Sequence, residues 1–258
     1  MHVNGINLEY DERGEGEPIL LVHGHPFDRS MWRPQLAHFG ARHRVLAPDL
    51  RGYGASTVVP GKTPLDVFAK DLAALLDHLG IERVVLGGLS MGGQIVLEFH
   101  RLFPGRVRAL VLADTSAEAE TPDGVRARDE MADRLLREGM SGYAEEVRYR
   151  MVSRDNPETA ELVAGMMRAA PPEGAAAALR GRAERPSYVD MLATVRVPAL
   201  VVVGEQDEFT PLADARLLHD RIPGARLLVV PGAAHMPNLE RPDVFNSALE
   251  ELLAEVAS

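Results

Sequence analysis

Val84-Val85-Leu86-Gly87-Gly88-Leu89-Ser90-Met91-Gly92-Gly93 is the stretch whose reading decides the fold. Val84 to Gly87 is a continuous aliphatic run, which suits a parallel strand buried on both faces. From Gln94 to Phe103 apolar residues recur at helical spacing, and the pattern stops before Pro104-Gly105. Between the two lies Gly88-Leu89-Ser90-Met91-Gly92, a G-x-S-x-G pattern. Five residues alone are weak evidence, and the context supplies the rest: a nucleophile elbow needs a strand, a tight turn and a helix in that order. Glycines beside the serine let strand and helix approach closely. The turn also sets Ser90 at a helix N-terminus, where the backbone dipole favours developing negative charge. The competing reading is a serine that merely caps the helix.

The same alternation extends in both directions. Ile19-Leu20-Leu21-Val22, Val45-Leu46-Ala47, Ala109-Leu110-Val111-Leu112, Ala199-Leu200-Val201-Val202-Val203 and Leu227-Leu228-Val229-Val230 are further strand runs. Helical patterns over Pro64–Leu79, Pro211–Ile222 and Pro242–Val256 separate them. Strands alternating with helices predict βαβ units and a parallel sheet. Val3-Asn4-Gly5-Ile6 predicts a tight hairpin, because Asn-Gly supplies the positive φ angles of such turns. An antiparallel edge on the parallel sheet is the simplest way to place it. From about Ser116 to Asp190 no strand run occurs. Helix-like segments there are broken at Gly139, Asn156-Pro157, Pro171-Pro172 and Pro186, which predicts a helical insertion over the sheet's carboxyl edge. Its methionines, Met131, Met140, Met151 and the pair from Met166, suit either an irregular apolar pocket or ordinary core.

Composition narrows the partners. A chain of 258 residues with 46% hydrophobic and 26% charged residues has enough apolar material for a sizeable core. It contains no Cys, so disulfides and thiolate chemistry are excluded. The net charge of −10 argues against nucleic acid or an anionic membrane as partners. The N-terminus shows no basic region followed by an apolar stretch, so no signal peptide is read and a cytoplasmic location is the default expectation.

Serine needs an adjacent base to act as a nucleophile. Of nine histidines, His2, His38, His43, His78, His100 and His219 fall at the start or on predicted helix and surface positions, and are expected to be solvated. His235 lies in Pro231-Gly232-Ala233-Ala234-His235, directly after the last strand, and loops at the carboxyl ends of parallel strands carry the chemistry in open α/β sheets. The base in turn needs a carboxylate to hold its tautomer. Asp207, in Gly204-Glu205-Gln206-Asp207 after the Ala199–Val203 run, is preferred, and the chain order Ser90, Asp207, His235 is that of α/β hydrolases. Glu205, Glu208 and Asp114 are the competing carboxylates, and Asp207 could instead cap the helix near Pro211. Two N–H donors must meet a developing oxyanion. Met91, after the nucleophile, and His25, in His23-Gly24-His25-Pro26-Phe27, are the expected sources. The His25 side chain would then point near the pocket, to contact substrate or to pack, and His23 is expected to brace the loop.

His23-Gly24-His25-Pro26, Asp49-Leu50-Arg51-Gly52-Tyr53-Gly54-Ala55-Ser56, the Ser90 elbow, Gly204-Glu205-Gln206-Asp207 and Pro231-Gly232-Ala233-Ala234-His235 together resemble the α/β-hydrolase family over essentially the whole chain. The closest likeness is to the subgroup with 3-oxoadipate enol-lactonases, small carboxylesterases and cofactor-free haloperoxidases. The resemblance implies a mostly parallel eight-stranded sheet flanked by helices, with a helical cap after the sixth strand. It divides the chain into core 1–115, cap 116–190 and core 191–258, and makes Asp49–Ser56 a structural loop. Ser90 departs from epoxide hydrolases and haloalkane dehalogenases, which carry Asp there. The oxyanion loop departs from the His-Gly-Gly-Gly esterases, the His-Gly-Gly-Pro-Gly of proline iminopeptidases is absent, and the lone Trp32 is expected on the first helix.

The expected function is hydrolysis of a small, largely apolar carboxylic ester or lactone through an acyl-enzyme on Ser90, with no metal and no cofactor. A perhydrolase or haloperoxidase, or a carbon–carbon bond hydrolase, would use the same triad. A small-molecule receptor with vestigial turnover is the alternative of another class. Fold alone leaves the substrate open.

Overall fold

The computed structural model describes residues 1–257. Strands β1 (His2–Val3) and β2 (Ile6–Asn7) form the Asn4-Gly5 hairpin, with φ of 45° and 78° at its two turn residues. The main sheet contains β3 (Tyr10–Arg13), β4 (Pro18–Val22), β5 (Arg44–Pro48), β6 (Val84–Leu89), β7 (Val107–Ala113), β8 (Ala199–Gly204) and β9 (Arg226–Val230). Their spatial order is β3-β5-β4-β6-β7-β8-β9, and every pairing is parallel except β3 with β5. Helices α1 (Arg33–Phe39), α2 (Leu65–His78), α3 (Met91–Leu102), α9 (Leu212–Arg221), α10 (Pro237–Glu240) and α11 (Pro242–Ala257) accompany the sheet. Between β7 and β8 come α4 (Pro122–Glu138), α5 (Ser141–Met151), α6 (Pro157–Ala169), α7 (Pro172–Ala183) and the single turn α8 (Val189–Leu192).

The central strands β4, β6 and β8 read as apolar throughout because both faces are covered. Alternate residues serve opposite cores: Leu20, Leu86, Leu110 and Val201 pack with Phe68, Leu72 and Phe99 of α2 and α3. Ile19, Val85, Val111 and Leu200 pack with Phe39, Phe245 and Leu249 of α1 and α11. Each such side chain contributes about 1.5–3 kcal/mol when fully buried.

Two features of the expected sheet need correction. It has seven strands, not eight, and the helical segment follows the fifth of them in chain order. The hairpin does not supply the antiparallel edge. It folds apart from the sheet, its Val3 and Ile6 packing into the α2-side core, and Tyr10–Arg13 forms the edge instead. That segment, Tyr-Asp-Glu-Arg, is polar because an edge strand is half-exposed, so it lacks the apolar signature of a buried strand.

The breaks in the helical segment fall where Gly and Pro stand: α4 ends at Gly139 (φ 73°), and α6 and α7 start at Pro157 and Pro172. Met140 joins Ala132, Leu135, Ala175 and Leu179 between α4 and α7. Val147, Met151, Val163 and Met167 of α5 and α6 join the α11-side core. His100 is buried, not solvated, because the first ten residues of α3 are closed in on every side. Trp32 sits in a 3-10 turn, Arg29–Trp32, that leads into α1. No described helix is long and apolar enough to cross a membrane.

Candidate active site

Ser90 joins β6 to α3 with φ 57° and ψ −118°, a conformation that costs a non-glycine residue free energy and persists only where its surroundings enforce it. They do so here. Ser90 N–H donates to Ala113 O at 2.9 Å, Gln94 N–H donates to Ser90 O at 3.2 Å, and Thr115 Oγ1 donates to the same oxygen at 2.7 Å. The glycines are sterically required: a Cβ on Gly88 would collide with Gly92, and one on Gly92 with the Val22 carbonyl. The Ser90 side chain makes no capping hydrogen bond to α3. It lines a cavity of about 340 Å³ between the sheet's carboxyl edge and α4, α5 and α7.

His235 lines the same cavity, and its Nδ1 donates to Asp207 Oδ2 at 2.8 Å. Asp207 does double service. Its Oδ1 accepts from the N–H groups of Phe209 (2.8 Å) and Thr210 (3.3 Å), which closes the loop ahead of α9, and its Oδ2 also accepts from Thr210 Oγ1 at 2.6 Å. Burial pushes the Asp207 carboxyl up. His235 together with the Thr210 and Phe209 hydrogen bonds outweighs it and holds the group below the ordinary carboxylate value. The His235 backbone N–H donates to Met151 O at 3.0 Å, and Glu240 accepts from Ala234 N–H at 2.9 Å and Ser153 N–H at 2.8 Å. The buried Glu240 carboxylate therefore ties the His235 loop to the end of α5.

The other carboxylates are engaged elsewhere. Glu205 accepts from Gly232 N–H at 3.0 Å, and Glu208 pairs with Arg150 at 3.0 Å. Asp114, at φ 44°, accepts from Gly204 N–H through Oδ1 at 2.8 Å, while its Oδ2 is buried without a hydrogen-bond partner. Burial, then the Asp207 charge, push the Asp114 carboxyl well above its usual value. Ligand atoms of Asp114, Asp207 and His235 lie within 4.8 Å of one another, close enough to hold a cation. Asp207 and His235 direct theirs at each other, which makes a hydrogen-bonded acid–imidazole pair with a second buried carboxyl behind it.

On the opposite wall, His23 is locked by both ring nitrogens: Nδ1 donates to Gly24 O at 2.8 Å and Nε2 accepts from Leu50 N–H at 2.9 Å. It braces the loop as expected. Asp49 accepts from the N–H groups of Arg29 and Ala55, both at 2.8 Å, so the Asp49–Ser56 stretch is knit together structurally. His25 lines the cavity, and its Nδ1 shares a 2.7 Å hydrogen bond with the Tyr53 hydroxyl. Burial, then the Arg182 and Arg128 charges, push the His25 pKa well down, so the ring is neutral. Met91 is the first residue of α3 and is fully buried.

Residues 19–248 match the model of the alpha/beta hydrolase family. The chain belongs to that family. It is 30% identical over 254 residues to 3-oxoadipate enol-lactonase 2 of Acinetobacter baylyi, covering 96% of this chain and 93% of that protein. A thermophilic esterase from Thermogutta terrifontis, solved with malate bound, superposes with a TM-score of 0.96 at 40% identity, covering 99% of this chain and 96% of the other. The enol-lactonase from Burkholderia xenovorans superposes with a TM-score of 0.90 at 30% identity, covering 98% of both chains. This hydrolase thus stands among esterases and lactonases, as the sequence motifs led one to expect.

Several residues of the cavity carry no signal in the sequence. Phe209 stacks obliquely on His235 with ring centroids 5.2 Å apart, and Arg150 lies over the Phe209 ring at 4.4 Å. Of the methionines that suited either a pocket or core, Met131 and Met151 line the cavity. Arg128 and Arg182 also line it, and the second stands in an Ala-rich helix as one more basic residue near Arg180. Nothing in the spacing distinguishes the buried arginine from the half-buried one.

Proposed function

We propose that this hydrolase cleaves small carboxylic esters or lactones by a two-step acyl transfer on Ser90. Ser90 Oγ attacks the carbonyl carbon while His235 takes its proton. Asp207 holds the imidazole in the required tautomer and stabilises the imidazolium. The backbone N–H groups of Met91 and His25 receive the oxyanion. His235 returns the proton to the departing alkoxide, and water repeats the sequence to release the acid. Segment 116–190 serves as the cap that closes over the acyl group, and residues 1–115 and 191–258 form the catalytic core.

The observation that carries this reading is the convergence of Ser90 and His235 on one cavity, with His235 bonded to Asp207 at 2.8 Å. Three residues 117 and 28 positions apart in the chain (90 to 207, 207 to 235) come together at one site, Asp207 behind His235 and away from the cavity wall. The likeness to an esterase and to enol-lactonases favours an ester or lactone carbonyl over other acyl groups. Walls of Val147, Met151, Leu179 and Phe209 suit an apolar substrate body, and 340 Å³ keeps it small. Hydrolysis of p-nitrophenyl acetate or butyrate, lost in Ser90→Ala, is the test. Undiminished turnover by that variant would refute the mechanism. A fluorophosphonate label on Ser90 separates an enzyme from a receptor, which would bind ligand and escape labelling.

A further inference from the structure

Five charged side chains line the cavity beside Ser90: Glu120, Arg128, Glu146, Arg150 and Arg182. Four of them have a partner of opposite sign. Arg128 pairs with Glu120, Glu146 with Arg134, and Arg150 with Glu208. Arg182 has no carboxylate partner among the described residues. It is 9% exposed, and of its five N–H donors only Nε has an acceptor, Gln94 Oε1 at 2.7 Å. Gln94 is itself oriented by donating to Ser116 Oγ at 3.2 Å. The surroundings add to the imbalance. Arg128 and Arg185 share the single carboxylate of Glu120, so three guanidiniums gather around one negative charge.

A second unpaired group faces the same space. His25 is 5% exposed, lines the cavity, and has a buried Nε2 without a hydrogen-bond partner. A buried charge is strongly disfavoured unless it is paired, and a guanidinium does not escape by losing its proton. Burial and the charges of Arg128 and Arg185 all work against the Arg182 cation. An arrangement that keeps such a group beside a reacting serine gains most when an anion enters. The planar fork of arginine matches a carboxylate with two parallel hydrogen bonds.

We propose that Arg182 is an anion anchor, and that the substrate is an ester or lactone that also carries a free carboxylate. The carboxylate is held and not transformed. Its binding fixes where the ester carbonyl lies relative to Ser90, and Gln94 acts as the positioning residue that holds the guanidinium in place. The choice of an ester substrate rests on the proposed acyl transfer, whereas the anion site itself does not.

Two measurements test this on the full chain. In the first, kcat/KM is compared for monomethyl glutarate, an anion, and dimethyl glutarate, its neutral counterpart. Wild-type protein should favour the anion by at least tenfold, Arg182→Met should erase the preference, and Arg182→Lys should keep part of it. Equal use of the two esters by wild-type protein, or an equal loss on both in Arg182→Met, overturns the proposal. In the second, calorimetry at fixed ionic strength measures glutarate, glutaramide and inorganic phosphate against the wild-type protein. Glutarate should bind, glutaramide should not, and phosphate should bind more weakly. Glutaramide binding as well as glutarate, or phosphate binding better, overturns the carboxylate assignment. Absence of ester turnover with glutarate still bound would refute the acyl-transfer reading and leave the anion site standing.

Discussion

His235 Nδ1 and Asp207 Oδ2 stand 2.8 Å apart with both side chains closed to solvent, and a second carboxyl, Asp114, brings a ligand atom within 4.8 Å of one on each of them. Two acids so close do not both ionise easily. The hydrogen bonds divide the roles. Asp207 receives four, including the imidazole, and Asp114 receives one from Gly204 N–H. His235 and these bonds hold the first below the ordinary carboxylate value, and burial beside the Asp207 charge holds the second well above it.

Asp207→Asn should therefore lower kcat on p-nitrophenyl butyrate by about 10³–10⁴-fold, because the amide leaves the imidazole in the wrong tautomer. Steady-state kinetics at neutral pH checks it. A loss under tenfold would move the acid role away from Asp207.

Asp114→Asn should be mild in rate at neutral pH, since Asn keeps the acceptor for Gly204 N–H and matches the carboxyl in shape. Its effect on stability should depend on pH with a definite sign. A carboxyl whose pKa is raised in the folded state binds more protons there than in the unfolded chain, so its contribution is present below the unfolded value of about 3.9 and is lost as pH rises toward the raised folded value. The Asn variant lacks that loss. Its Tm relative to wild type should climb as the pH rises above about 4, and a flat difference would contradict a raised Asp114 carboxyl.

Gly92→Ala should destabilise the protein by about 1–3 kcal/mol or more, because the added Cβ meets the Val22 carbonyl with no room to yield. Gly105→Ala is the matched control. A Cβ there meets nothing within 4 Å, so its effect should stay within about 0.5 kcal/mol. Urea unfolding of both variants gives the comparison.

Glu120→Gln should cost about 1–3 kcal/mol, since it leaves Arg128 and Arg185 without the carboxylate they share at a partly buried, partly screened site. Burial pushes the Glu120 carboxyl up, but the Arg185 and Arg128 guanidiniums prevail and hold it down at about 2, from an ordinary 4.5. The stability it supplies is thus present above about 4.5 and lost as pH falls toward 2. Wild type and variant should converge in Tm as the pH is lowered through that window, and a constant gap would show that Glu120 acts by shape alone.

The elbow at Ser90, the strand ends that bear Asp207 and His235, and the helix breaks at Gly139, Pro157 and Pro172 were all legible in the chain, because each follows from local rules. A buried parallel strand must be apolar along its length, a helix stops at Gly or Pro, and a cramped turn excludes Cβ atoms. The polar strand β3 is not legible, since an edge strand need not be apolar, and the Asn4-Gly5 hairpin carries no local signal that it folds apart from the main sheet.

What the sequence by itself determined was the alternation of buried strands and helices, the family, and the places of Ser90, Asp207 and His235 directly after apolar strand runs. What only the tertiary structure decided was which charges face one another. Arg180 and Arg182 are two residues apart on one helix. The first reaches out to Asp133, and the second turns inward to Gln94, 88 residues away in the chain. Asp114 and Asp207 both follow apolar strands, and their difference arises from the hydrogen bonds of β8 and the α9 loop. Charge and hydrogen bonding act through space at a few ångströms, so a residue's ionic role is set by neighbours that chain order leaves unspecified.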